Sequence, residues 1–235
     1  MGSDEQHPPA TAPRYERDTI EFARAVTFFD AVYAFALTLL VVNIDPPEAA
    51  DWRDLGTLLA SGLEWQLLGF AVSFIVIAVF WRVNHRIVAQ FRAVSPGTVT
   101  ANLVAIAFVV LIPFSTQGIS DVETADEPLA VAVYAVNISL AVLAQSAMYY
   151  RARHDGVLAH PVPRRADAVR LVDTLLTPAI FLISIPIAFA FGADWGRATW
   201  ALLLVVNPIS GRWSARQVAR IVAADRAEPA ATDGR

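Results

Sequence analysis

The sequence predicts an all-α, polytopic integral membrane protein with six spans, and three observations predict it. First, 56% of the 235 residues are hydrophobic and only 17% are charged, against about 25% charged in soluble domains; the mean hydropathy is +0.48. Second, apolar runs near bilayer length recur along the chain, separated by polar segments bearing Pro, Gly or clustered charge. Third, all 18 basic residues are Arg, and they alternate from loop to loop as the positive-inside rule requires.

Residues 1–18 are polar and Pro-rich, which predicts a disordered cytoplasmic tail. They carry no basic segment followed by an apolar run, so no cleaved signal peptide is read there. The first span runs from Thr19 to Ile44. Between Ala25 and Ile44 it holds one charge, Asp30, and stops at Asp45-Pro46-Pro47, where Pro46 forces Asp45 out of the helical region. The following acidic loop contains W-R-D-L-G-T-L-L, which suits a short interfacial helix. The second span, Trp65–Trp81, is bracketed by Trp, a residue that favours the headgroup level. The third, about 97–114, has Pro96 at its start and Pro113 at its end. The fourth, about 128–150, follows an acidic loop and precedes an Arg-rich one. The fifth, about 174–191, contains Pro178 and Pro186, which membrane helices tolerate because neighbours re-satisfy the freed carbonyls. The sixth, about 198–209, is the shortest and lies between Trp195 and Trp213. Residues 19–213 thus form one six-helix domain, and 214–235 a cytoplasmic tail.

Sixteen arginines fall on one set of loops and two on the other. This places both termini in the cytoplasm of a multi-pass protein of the cell membrane and supports an even number of spans. The acidic loops then face outward, either to raise the local cation concentration or simply as solvated loops. No clustered basic face marks a nucleic-acid binder. There are no cysteines, which removes thiol chemistry and cysteine metal sites. No metalloprotease, nucleophile-elbow or phosphate-loop motif appears, so the expectation is a protein that is not an enzyme and needs no cofactor.

A carboxylate within a span must face protein or water. Asp30 lies about 9 Å deeper than Arg24 by helix rise. The two suit either a polar network beside a pathway or a structural staple between helices. Asn84, His85 and Asn102 are plausible partners for them. Ala31, Phe35, Thr38 and Val42 follow helical spacing. Repeated about a symmetry axis, that stripe would set apolar constrictions around a ring of hydroxyls. Taken alone, a Thr in an apolar helix is as readily a packing or back-bonding residue.

The first span carries R-A-V-T-F-F-D-A-V-Y-A-F-A-L-T-L-L. It resembles the first-helix signature of the lysosomal and endosomal potassium channels in their bacterial branch, at Arg24, Phe28, Asp30, Ala34, Thr38, Leu39 and Leu40. W-R-V-N-H (Trp81–His85), Asn102 and I-P-F-S-T (Ile112–Thr116) resemble family positions more loosely. The resemblance implies a homotetrameric channel of six-helix subunits, its pore lined by first helices and its permeant ion K+. It implies a narrowest point at Phe35, a selectivity hydroxyl at Thr38, a further apolar layer at Val42, and helix packing held by Arg24 and Asp30. Two positions depart from the pattern: Phe29 stands for Ser, and Phe35 for an aliphatic residue. The expected partners are further copies of the chain, the lipid bilayer and monovalent cations. The rival from another class is a proton-coupled transporter titrating at Asp30.

Overall fold

The computed structural model describes residues 14–121 and 123–232. Its helices are α1 (Ile20–Leu39), α2 (Leu55–Ala60), α3 (Leu63–Val88), α4 (Pro96–Val110), α5 (Ile112–Ser120), α6 (Pro128–His154), α7 (Arg164–Phe191), α8 (Ala193–Ala198) and α9 (Leu203–Thr232). Two short strands, β1 (Tyr15–Glu16) and β2 (Ala93–Val94), pair antiparallel. Five helical stretches are long and apolar enough to cross a membrane: Ile20–Asn43, Leu63–Val88, Pro96–Ser120, Pro128–His154 and Arg164–Phe191. The sixth expected run, 198–209, is also helical. It packs on α7 and continues without interruption into the Arg-bearing end of α9.

Local chemistry sets the boundaries. Thr19 caps α1 by accepting from the Phe22 amide at 3.3 Å, satisfying one of the free donors of the first turn. Beyond Leu39 the helix tightens to a 3-10 turn, Leu40–Asn43, before Pro46 and Pro47. The expected interfacial helix is present as a 3-10 turn, Asp51–Arg53, followed by α2, with Asp54 capping Thr57 at 2.9 Å. The third span is interrupted at Leu111, because Pro113 has no amide to continue the ladder and restarts it as the first turn of α5.

α6 stands at the centre and packs on α4, α5, α7 and α8, while α1 packs on α3 and α4. The main core joins Phe29, Tyr33, Ala36 and Leu40 of α1 to Ile77, Phe80, Ile106, Val109, Ile138 and Phe181. Several polar groups within this packing pair across helices, as membrane-depth polar groups favour. Ser73 and Thr116 share a 2.5 Å hydrogen bond between α3 and α5. The Gln145 amide donates to the Tyr33 hydroxyl at 3.3 Å and to the Phe80 carbonyl at 3.0 Å.

The two ends of the bundle differ. At the Arg-rich end, Arg17 donates to the carbonyls of Ala89 and Phe91 at 2.9 and 3.0 Å. Arg92 binds the Gly156 carbonyl, and the Ala159 amide binds the Gln90 carbonyl. The N-terminal segment, the α3–α4 linker and the α6–α7 linker therefore interlock. At the acidic end, Asn43 donates to the Pro113 carbonyl at 2.6 Å and the Asp45 amide to Gln66 at 2.9 Å. Arg197 donates to the Ile119 carbonyl at 3.0 Å.

Three expected boundaries are corrected. The tail read as disordered through 18 includes the strand Tyr15–Glu16 and the Arg17 anchor, because Ala93–Val94 offers unpaired backbone beside them; residues 1–13 lie outside the described residues. The fifth helix begins ten residues before Thr174, since Asp167 near its start is buried against α6. It accepts from the Tyr149 hydroxyl at 2.8 Å and pairs with Arg153. The tail placed at 214 is no separate element, for α9 runs through Ser214 to Thr232.

Candidate functional site

α1 has two faces. Phe29, Tyr33, Ala36 and Leu40 recur at helical spacing and are all buried at 3% exposure or less. At 100° per residue, positions 31, 35, 38 and 42 fall on the opposite side, and there Ala31, Phe35, Thr38 and Val42 are all exposed. Phe35 is 64% exposed and Val42 72%. Phe28 and Val41 extend this uncovered apolar strip. The stripe singled out in the sequence therefore does not enter the subunit's own core.

Thr38 lies within this strip. Its hydroxyl donates to the Phe35 carbonyl at 2.7 Å, the back-bond that threonine makes within helices. That bond uses the hydroxyl proton and leaves the oxygen lone pairs free of it. By helix rise Thr38 sits roughly 4.5 Å beyond Phe35 along the axis.

Asp30 turns away from the strip toward α3, where the Trp81 indole donates to its carboxylate at 2.9 Å. Trp81 in turn lies 5.7 Å from the His85 ring, centroid to centroid. The expected polar network divides in two. Asn84 and Asn102 are buried and bond to each other at 2.6 Å, joining α3 to α4 rather than partnering Asp30. Arg24 is exposed at the Arg-rich end, and among the described residues no ion pair joins it to Asp30. Phe29, which stands where the signature has Ser, is a core residue at 3% exposure. The partner that sequence reasoning did not assign to Asp30 is Trp81, read as a headgroup anchor and as part of the W-R-V-N-H resemblance.

Residues 24–113 match the model of the family described as Endosomal/lysosomal potassium channel TMEM175. That stretch spans 90 of the chain's 235 residues. A potassium channel of Streptomyces collinus is 28% identical over 174 residues, which cover 71% of this chain and 80% of that protein. A potassium channel of Chamaesiphon minutus is 25% identical over 172 residues, covering 72% and 85%. The solved structure of a TMEM175 homolog from Chamaesiphon minutus, described as a lysosomal potassium-selective channel, superposes with a TM-score of 0.61 at 22% identity. It covers 85% of this chain and 99% of that one. A second solved TMEM175 potassium channel, in complex with a nanobody fusion, gives 0.58 at 18% identity and covers 89% and 99%. These two likenesses establish the multi-span helical fold, and the relatives are named as channels rather than enzymes.

The TMEM175 match opens at Arg24 and closes at Pro113, the residue whose carbonyl accepts from Asn43. The matched stretch is thus one packed unit: α1, its 3-10 extension, α3, α4 and the restart at α5. The exposed stripe, the Asp30–Trp81 bond and the Asn84–Asn102 pair all lie inside it.

Proposed function

We propose that the protein is a passive, weakly potassium-selective cation channel of the cell membrane, in which four copies bring the exposed faces of their α1 helices around a common axis. The observation that carries this reading is the uncovered Ala31–Phe35–Thr38–Val42 stripe, opposite the face that α1 buries in its own subunit. An apolar stripe facing neither its own core nor a polar partner suits lipid or an axis, and the relatives' names favour the axis. Phe35 and Val42 form apolar constrictions that gate by dewetting, Ala31 leaves a wider vestibule on the Arg-rich side, and the Thr38 oxygens replace part of the ion's hydration shell between the two. Hydroxyl and apolar rings are poorer substitutes for water than a carbonyl cage, so discrimination is modest. The permeant ion is K+, and no other cofactor takes part.

Orientation follows from charge. Sixteen arginines against two put the interlocked end in the cytoplasm with both termini. The transporter alternative draws no support from the site, because Asp30 lies off the stripe and is engaged by Trp81.

The test is ion flux from liposomes holding purified protein, under a potassium gradient and then a sodium one. Potassium flux should exceed sodium flux, and Thr38→Ala should narrow the difference. Equal ratios in both proteins would remove Thr38 from the selective ring.

A further inference from the structure

A cavity lies away from α1. A cleft of about 850 Å³ opens between α3, α6, α7 and the C-terminal helix, within the range of roughly 300–1,000 Å³ typical of ligand pockets. Along α3 it extends from Val72 to Ile87, roughly 22 Å by helix rise, most of the depth of a hydrocarbon core.

Its lining is sorted by depth. Through the middle the walls are apolar, with Ile75, Val79 and Val83 facing Val142 and Leu203. Toward the Arg-rich end the lining becomes Arg86, Gln90, Tyr149, Tyr150, Arg170 and Asp173. Two guanidinium groups face one carboxylate there. Among the described residues neither Arg86 nor Arg170 forms a salt bridge, while Arg170 is steadied by the Tyr149 hydroxyl at 3.4 Å. An apolar slot ending in two arginines against one carboxylate at one membrane surface matches an amphiphile with an anionic head. A basic pocket between membrane helices on one leaflet is the recognised form of such a site, and Arg presents a fork suited to phosphate oxygens.

We propose that this cleft binds one anionic phospholipid from the leaflet at the Arg-rich end. Arg86 and Arg170 hold its phosphate, and an acyl chain runs up the cleft past Val79 toward Trp200. The site is formed within one subunit and is independent of the ion pathway.

Native mass spectrometry of the delipidated full-length protein, titrated with phosphatidylglycerol and separately with phosphatidylcholine, tests the assignment. Phosphatidylglycerol should bind in preference, and Arg86→Gln with Arg170→Gln should weaken it roughly tenfold or more. Phosphatidylcholine binding should change little. Val79→Trp, which fills the slot while keeping both arginines, should also lower phosphatidylglycerol occupancy, and millimolar inorganic phosphate should fail to displace the lipid. Equal binding of the two lipids, unchanged affinity in the double variant, or full displacement by phosphate would overturn the proposal. So would a change of oligomeric state in Val79→Trp with lipid binding intact, which would make the cleft a subunit interface.

Discussion

The bond between Asp30 and Trp81 lends itself to a quantitative test. A hydrogen bond to a charged group contributes about 1.5–3 kcal/mol. Asp30 is only half-buried and Trp81 is 39% exposed, so the lower part of that range applies, about 1.5 kcal/mol. Trp81→Phe removes the donor but also shrinks the side chain, so the single variant mixes two effects. The double-mutant cycle with Asp30→Ala separates them, because packing loss at position 81 is common to both backgrounds. The coupling should appear as about 1.5 kcal/mol, or roughly 3–6 °C in thermal midpoint for a chain of this size. Asp30→Asn keeps an acceptor oxygen and should lose about half as much as Asp30→Ala. Thermal unfolding followed by fluorescence-detected size exclusion reads the midpoint and the assembly together. Additivity within about 0.5 kcal/mol would show that the two side chains do not interact. Flux through Asp30→Asn should persist; its loss in a folded, assembled protein would return the carboxylate to an ion-coupling role.

Phe35→Ala should raise flux, because it removes the bulkiest side chain on the exposed stripe; an unchanged or lower rate in well-folded protein would count against a constriction there. Gly196→Ala should destabilise by about 1–3 kcal/mol, since an added Cβ would meet the Ala188 Cβ at 2.6 Å and the Ser184 carbonyl oxygen at 3.1 Å; a thermal midpoint equal to wild type would refute that close approach. Asp155 is affected most by desolvation, which raises its carboxyl, but hydrogen bonds from Ser95, His154 and Arg151 together with the Arg151 charge outweigh this and hold it below 3.8. A lowered carboxyl stabilises the fold above the unfolded value and loses that contribution as pH falls through the folded one. As pH falls below 3.8, wild type should therefore lose thermal stability that Asp155→Asn does not; parallel curves would contradict the assignment.

Much of the first helix was legible because membrane depth and helical phase are both written in local order. Asp30 had to avoid lipid, Pro46 had to end the helix, and the 31–35–38–42 stripe had to share a face. Rotation about the helix axis relative to neighbours is not local. Trp81 therefore read as a headgroup anchor when its indole binds Asp30, and Asn84 and Asn102 read as partners for charge when the Asn84 amide donates to Asn102. The Gln145 bond to Tyr33 joins residues 112 positions apart, and no spacing announces it. The early start of α7 was obscured by arginines that look like loop solvation, although Asp167 spends its charge on Arg153 inside the bundle. The C-terminal boundary failed for a related reason, since Arg and Ala suit an exposed helix as well as a tail.

The strand pair at the base of α1 has a mechanical consequence. Tyr15 and Glu16 are fastened to Val94 and Ala93, and Arg17 grips the carbonyls of Ala89 and Phe91. Swinging the helix as a rod would have to peel that buckle open, while its far end is held by Asn43. A helix pinned at both extremities has its cheapest freedom in the side chains between, and on the exposed stripe the largest such freedom is the torsion of the Phe35 ring.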